Sequence, residues 1–580
     1  MNEPAADIES AYSSLSPEHQ RVLACVAPFT AAVHPATLRG YPFKLRRQPL
    51  LAEFPWNQWP DAIREAKARG LFRPHPAERN YLSIPSAWTA ILRGRPEFAP
   101  QAPTRRAIET AFREINAEYA DAILKLLLST LPNQRQFGQD LTHVEYQNFL
   151  AAMDVALEHG KSFNRYFACL TQYLKATGHY ERGLEVSQRV RARLEDPREK
   201  LTGRGRLEHA VVVARIAEFE HWLRRYEAAE AHYMQAVGIF SEVEGQPTEK
   251  IQAGLAMTYH DLGLLAYEQR KWAEAGGYLR KALTFWEVSK HPSLHAETLC
   301  RLGGVMARQS DNEGAEECYR KAREMYVASG DRLAQAKVLA DWAGLDGQRG
   351  RLQEAKQHYR SALAVFNEFG DREHAGVVYR NLACIEDNEG DWRKAWKHYQ
   401  KARRLAFEVG DVHGQAETCV RLAAIALARD ESETARRYLR RALKHSRADN
   451  DRPTQALVLH SLGRIEKRRR RWKRAGRYYH QAIAILNGLN DVQWTATVNM
   501  DLGLLAYRGG EWKNAQTLLL DALSMFVRCN DRRGSIRAIM RLAGVWDKTS
   551  DTEFLRAVAE TIHAPAEEVQ RIFNTILGRQ

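Results

Sequence analysis

No run of eighteen apolar residues occurs in this chain of 580 residues, so no membrane-spanning helix is expected. The first ten residues are acidic and polar and lack the basic and apolar segments of a secretory signal. The seven cysteines are scattered, with no Cys-x-x-Cys pair. That argues against a disulfide framework and fits a reducing, cytoplasmic setting in which Cys300, Cys384 and Cys419 are small core thiols. Signatures of common catalytic classes are missing as well. There is no phosphate-binding Gly-x-x-x-x-Gly-Lys-[Ser/Thr] loop, no His-Glu-x-x-His, no Gly-x-Ser-x-Gly and no Cys–His protease signature. The twenty histidines show no ligand spacing. His295, Glu297 and Cys300 echo part of a zinc-deaminase motif, but its Pro-Cys-x-x-Cys half is absent. Neither catalysis, nor a cofactor, nor a metal site is therefore expected. Carboxylates are in deficit, 71 Asp and Glu against 85 Lys and Arg, for a net charge of +14. Such a balance favours acidic partners and equally serves solubility.

What the chain has in abundance is repetition. A Leu-Gly or Leu-Ala pair falls at Leu262, Leu302, Leu382, Leu422, Leu462, Leu502 and Leu542, with Trp342-Ala343 filling the one gap. One alanine recurs from Ala275 to Ala515 and a second from Ala282 to Ala522, each at intervals of forty. A fixed period of this size predicts a solenoid of stacked units. Within residues 371–410, Val377, Tyr379, Leu382, Ala383 and Ile385 follow helical spacing with one apolar face, and so do Trp392, Ala395, Tyr399, Ala402 and Leu405. Gly390 separates the two predicted helices and Gly410 ends the second. Asp411 then stands where a carboxylate caps the next helix. Gly-Asp or Asn-Asp pairs recur at Asp331, Asp371, Asp451, Asp491 and Asp531. Small residues at the Leu-Gly contact and at the two alanine positions let paired helices approach closely, and Trp392, Trp472 and Trp512 fill the wider end.

These residues resemble the tetratricopeptide repeat: Tyr259, Leu262-Gly263, Tyr267, Trp272, Ala275, Leu279 and Ala282 follow its pattern. The period is longer than the common form and similar to that of HEAT repeats, which lack this small-residue grammar. The resemblance implies an all-α chain, a right-handed tetratricopeptide-repeat superhelix whose first helices line a concave groove.

Ahead of the array, residues 1–14 read as a mobile arm. Residues 15–100 read as a small winged-helix-like α/β-wing domain: a helix from Ser16-Pro17, an irregular Pro-rich stretch over 41–60, a helix over 61–69, two strands at Leu71-Phe72 and Tyr81–Ile84, and a helix from Pro85 to Leu92. In that reading Arg64, Lys67 and Arg69 are candidate nucleic-acid contacts, though Asp61 and Glu65 make their helix barely basic. Residues 101–165 are connecting helices. Within them Glu145, Asn148, Ala151-Ala152 and the segment ending at Gly160 resemble a helix of STAND ATPases that lies between winged helix and repeats. The whole order resembles the C-terminal half of such a protein without its ATPase domain. Residues 166–247 read as degenerate first repeats, with a long exit loop at 242–250. Residues 248–530 are repeats in strict register, and 531–580 supply capping helices.

One cluster stands out for binding. Lys467 to Arg471, with Lys473, Arg474 and Arg477, surround Trp472. Family alignment assigns His460, Arg464, Lys467 and Arg468 to the groove, with Met500, Leu504, Tyr507 and Arg508 one repeat on. Four cations beside an apolar floor suit an acidic amphipathic peptide. The expected function is a non-catalytic scaffold, adaptor or sensor that holds a protein or peptide partner. The alternative is a DNA-binding regulator using the winged helix, with the repeats binding effectors.

Overall fold

A computed structural model describes residues 5–30, 32–76, 78, 80–129, 131–195, 203–243, 248–448, 450–529 and 531–579. The chain divides into two compact units, residues 1–341 and 342–580.

In the first unit the N-terminal segment is ordered differently from the expected arm. Ala5–Ser13 is a helix, and Ile8, Tyr12 and Leu15 are buried. The Tyr12 hydroxyl donates to the Gln20 carbonyl at 2.9 Å. Helix Pro17–Leu23 starts as read, with the Ser16 side chain accepting from His19 N. Where two strands were expected there are three: β1 (Ala32–Val33), β2 (Arg73–Pro74) and β3 (Leu82–Ser83) form an antiparallel sheet ordered β1-β3-β2. Strand β2 lies two residues beyond the expected Leu71-Phe72, both of which are buried in the core. Part of the turn joining the strands lies outside the described residues.

A helix, Pro35–Leu45, runs into the start of the stretch expected to be irregular, with Pro42 inside it. Proline there removes the N–H that would bond the carbonyl four residues back. That carbonyl, on Leu38, instead accepts from the Trp59 indole N–H at 3.0 Å. Helix Trp59–Ala68 follows. The connecting region is two helices, Pro103–Leu127 and Pro132–Glu158. A single hydrophobic core runs from Ile8 to Phe219, so residue 100 marks no break in packing. Helix pairs then begin with Asn164–Ala176 and Tyr180–Leu194, and with Gly203–Trp222 and Tyr226–Ser241. Residues 244–247 of the long exit loop lie outside the described residues. Thr248–Glu268 pairs with Trp272–Ser289, and Pro292–Arg308 with Asn312–Ala328.

The second unit continues the pattern. First helices Arg372–Asn388, Val412–Ala428, Arg452–Arg468 and Val492–Arg508 pair with second helices Trp392–Glu408, Ser432–Ala448, Trp472–Gly488 and Trp512–Arg528. Arg532–Thr549, Thr552–Ile562 and Ala566–Ile576 close it. The repeated small residues sit where helices touch: a Cβ on Gly463 would stand 2.4 Å from the buried Tyr479 ring. The turns follow the reading from sequence. Gly410 has φ +75°, and Asn450 and Asn490 take the same left-handed conformation at 51° and 54°. The aspartates that follow cap their helices, Asp411 accepting from Gly414 N at 2.7 Å and Asp491 from Trp494 N at 2.9 Å. One register detail differs: Val378, not Val377, takes the core position, and Val377 is exposed.

Candidate functional site

The expected groove residues lie on two neighbouring first helices of the second unit, Arg452–Arg468 and Val492–Arg508. Spacings of three and four place His460, Arg464, Lys467 and Arg468 on adjoining turns of one helix. What joins the two helices is an acid absent from the expected set. Asp501 accepts from Lys467 Nζ at 2.6 Å through Oδ1, and its Oδ2 lies 2.9 Å from His460 Nε2. The Trp494 indole N–H points to His460 Nδ1 at 3.5 Å. Indole nitrogen only donates, so His460 Nδ1 is the acceptor and Nε2 carries the proton bonded to Asp501. Burial works to raise the Asp501 carboxyl, but the hydrogen bonds from His460 and Lys467 and the charge of Lys467 prevail and hold it at about 2. It is an anion at every physiological pH.

Of the four cations expected beside the apolar floor, two are therefore paired. His460 is buried and Lys467 largely so, both committed to Asp501. Arg468 reaches Asp430 at 3.7 Å, a contact between exposed groups. Arg464 and Arg508 remain exposed. Met500, Leu504 and Tyr507 are half-buried beside them; Met500 and Tyr507 pack on the underlying core, and the Tyr507 ring meets Trp512 edge-on at 5.3 Å. Asp501 was open to recognition in the sequence. It directly precedes the Leu502-Gly503 pair, one residue from Met500, and helical geometry puts it on the edge of the same face.

The N-terminal candidates are quieter. Arg64 is paired with Asp61 at 2.9 Å and Arg69 with Glu65 at 2.5 Å, leaving Lys67 exposed on the same helix. Two of the three expected cations are thus balanced by carboxylates of their own helix, and the DNA-binding alternative finds no support here.

The helix that resembles the STAND connector has a structural task. Asn148 accepts from Thr30 N at 3.0 Å and donates to the Ala32 carbonyl at 2.6 Å and to Glu145 Oε2 at 2.7 Å. It thereby fixes the start of β1 to the connecting helices. Glu145 is buried, which pushes its carboxyl up to about 7 despite the Asn148 bond. Among the described residues no group of three or more His, Cys, Asp or Glu side chains is placed to hold a metal ion, and no helix is long and apolar enough to cross a membrane.

A family model for the tetratricopeptide repeat matches residues 254–328 and 333–408. Among curated proteins, none matches the chain in sequence. Among solved structures, a Pyrococcus horikoshii STAND protein with a tetratricopeptide repeat sensor is 14% identical, with a TM-score of 0.50 over 90% of this chain and 64% of that one. A Rap protein complexed with competence and sporulation factor is 14% identical over 70% of this chain and 99% of that one, with a TM-score of 0.39. Aspartyl phosphate phosphatase F from Bacillus subtilis is 13% identical over 71% and 93% of the respective chains, with a TM-score of 0.37. The chain contains tetratricopeptide repeats over the residues that the family model matches. In fold it resembles the C-terminal half of STAND ATPases, and it carries no phosphate-binding loop of their kind.

Proposed function

We propose that this protein is a non-catalytic scaffold or sensor that binds an acidic amphipathic segment of a partner protein on the first-helix face of residues 452–508. The observation that carries the reading is the composition of that face. Two exposed guanidiniums, Arg464 and Arg508, flank the half-buried Met500, Leu504 and Tyr507. The intervening charges are already satisfied by Asp501, which fixes Lys467 and His460 in place. A helix laid in such a groove buries its apolar stripe and presents carboxylates to the arginines. Each charge-assisted hydrogen bond so formed contributes roughly 1.5–3 kcal/mol.

The test uses a fluorescent amphipathic peptide with leucine on one face and glutamate on the other. Arg464→Glu with Arg508→Glu is expected to weaken binding at least tenfold without loss of helical signal. Reversal of Arg469 and Arg470, which lie at the turn, is expected to change it little. Lys467→Glu is not a clean probe, because it sets a second carboxylate against Asp501 and destabilises the fold. Equal behaviour of the two double reversals removes the groove from the account of binding.

A further inference from the structure

The positive charge of this chain is not spread evenly. The three consecutive second helices Trp392–Glu408, Ser432–Ala448 and Trp472–Gly488 carry fifteen Lys and Arg against two carboxylates, Glu408 and Glu433. Their excess nearly equals the net charge of +14 of the whole chain. The second helices on either side are close to balanced: Leu352–Phe369 has Lys356 and Arg360 against Glu354 and Glu368, and Trp512–Arg528 has Lys513 and Arg528 against Asp521. A bias needed only for solubility has no reason to stop at three helices.

The cations are also arranged. Lys397, Lys401 and Arg404 stand at i, i+4 and i+7 on one helix, and Arg437, Arg441 and Lys444 repeat the spacing forty residues on. All six are exposed. Ion pairs on this face join Lys394 to Asp391, Arg404 to Glu408, and Arg436 to Glu433 and Glu466; among the described residues, of the six only Arg404 is paired with a carboxylate. An open trough of about 590 Å³ is lined by Arg436, Arg437, Arg440, Arg441 and Lys444 together with Glu433 and Thr434, five cations to one carboxylate. His445, half-buried beside it, is held below its ordinary pKa first by burial and then by Lys444, Arg403 and Arg441. Apolar side chains contribute little: Phe407 is the one large hydrophobic residue exposed within the described parts of these helices.

We propose that this second-helix face binds the phosphate backbone of duplex nucleic acid without reading its sequence. A folded acidic protein would need an apolar centre to its interface, which this face lacks. Single strands are gripped by successive aromatic stacking platforms; here Trp392 is covered by the guanidinium of Arg429, 3.6 Å from its centroid, and Phe407 stands as a single exposed ring among the described parts of these helices. What the face does offer is closely spaced, solvated charge. A row at i, i+4 and i+7 spans about 10 Å, and over that length a duplex carries about six phosphates. The surface is distinct from the first-helix groove and does not depend on its occupancy.

The experiment measures fluorescence anisotropy of the full chain with labelled random-sequence duplexes, one DNA and one RNA, between about 50 and 200 mM salt. Wild type is expected to bind, with log K falling linearly in log salt. The variant Lys397→Glu, Arg437→Glu, Arg441→Glu, Lys444→Glu should bind at least tenfold more weakly, with a salt slope shallower by about 3–4. A charge-matched control, Lys250→Glu, Lys290→Glu, Lys321→Glu, Arg323→Glu, should behave nearly as wild type. The two duplexes distinguish DNA from RNA as the source of phosphate, and circular dichroism checks that both variants fold. The proposal is overturned if wild type fails to bind either duplex. It is also overturned if the variant and control are alike, or if a polyglutamate peptide binds as tightly as a duplex at equal salt, which would make the partner an acidic protein.

Discussion

Glu145 makes the stability of the N-terminal region depend on pH near neutrality. Its carboxyl is raised to about 7 by burial, whereas an unfolded chain titrates it near ~4.3. A carboxyl raised on folding contributes stability that is full below the unfolded value and is lost as pH rises through the folded one. The window is thus about 4 to 7. Glu145→Gln keeps an acceptor for Asn148 and removes the ionisation. It is expected to stabilise the protein by roughly 2–4 kcal/mol at pH 8 and by far less at pH 5, read as the shift in urea midpoint of the N-terminal signal. A shift independent of pH would remove ionisation of Glu145 as its cause. In the sequence Glu145 stands out only as part of the resemblance to the STAND connecting helix. Nothing there discloses that β1 and the connecting helices close over it, because that closure joins residues more than a hundred positions apart. Asp501 is the opposite case: its register was readable, but a single carboxylate within a set of basic positions draws no notice until its two bonds are seen.

Helices and turns were legible wherever one unit alone determines them. The period exposed the helix pairs, the buried alanines, the left-handed Gly and Asn positions and the Asp caps, because each rests on local geometry repeated many times. Elements fixed by distant partners were not legible. The helix over Ala5–Ser13 is held by burial of Ile8 and Tyr12, and Pro42 stays helical because Trp59, far along the chain, satisfies the Leu38 carbonyl. The small-residue grammar predicts a contrast among glycines. At Gly463 an added Cβ would fall 2.4 Å from Tyr479, whereas at Gly277 it would meet nothing within 4 Å. Gly463→Ala is therefore expected to destabilise by about 1–3 kcal/mol through overpacking. Gly277→Ala should stabilise by up to about 1 kcal/mol through helix propensity. Thermal unfolding of the two single variants reads the signs directly, and equal signs would show that the repeat contact is more plastic than its packing implies.

At the scale of the whole chain, charge is segregated by helix. In a solenoid each repeat touches its neighbours only, so stability is close to a sum of local terms and a local charge excess is felt locally. Like charges at i, i+4 destabilise a helix by about 0.2–0.5 kcal/mol per pair. Lys397 with Lys401, Arg437 with Arg441 and Arg440 with Lys444 are such pairs. Salt shortens the Debye length from about 10 Å at 0.1 M to about 3 Å at 1 M and screens exposed charges of this kind. In protein free of nucleic acid, raising the salt should therefore slow amide exchange in Trp392–Glu408 and Ser432–Ala448, by a few-fold for a summed gain of about 1 kcal/mol. The balanced helices Leu352–Phe369 and Trp512–Arg528 should change little. The contrast between helices of one repeat type is the measurement that matters, since a general salt effect on burial would slow all of them together. A uniform response would mean that the cations do not strain the empty protein, and the charge excess would then impose no penalty for a ligand to relieve.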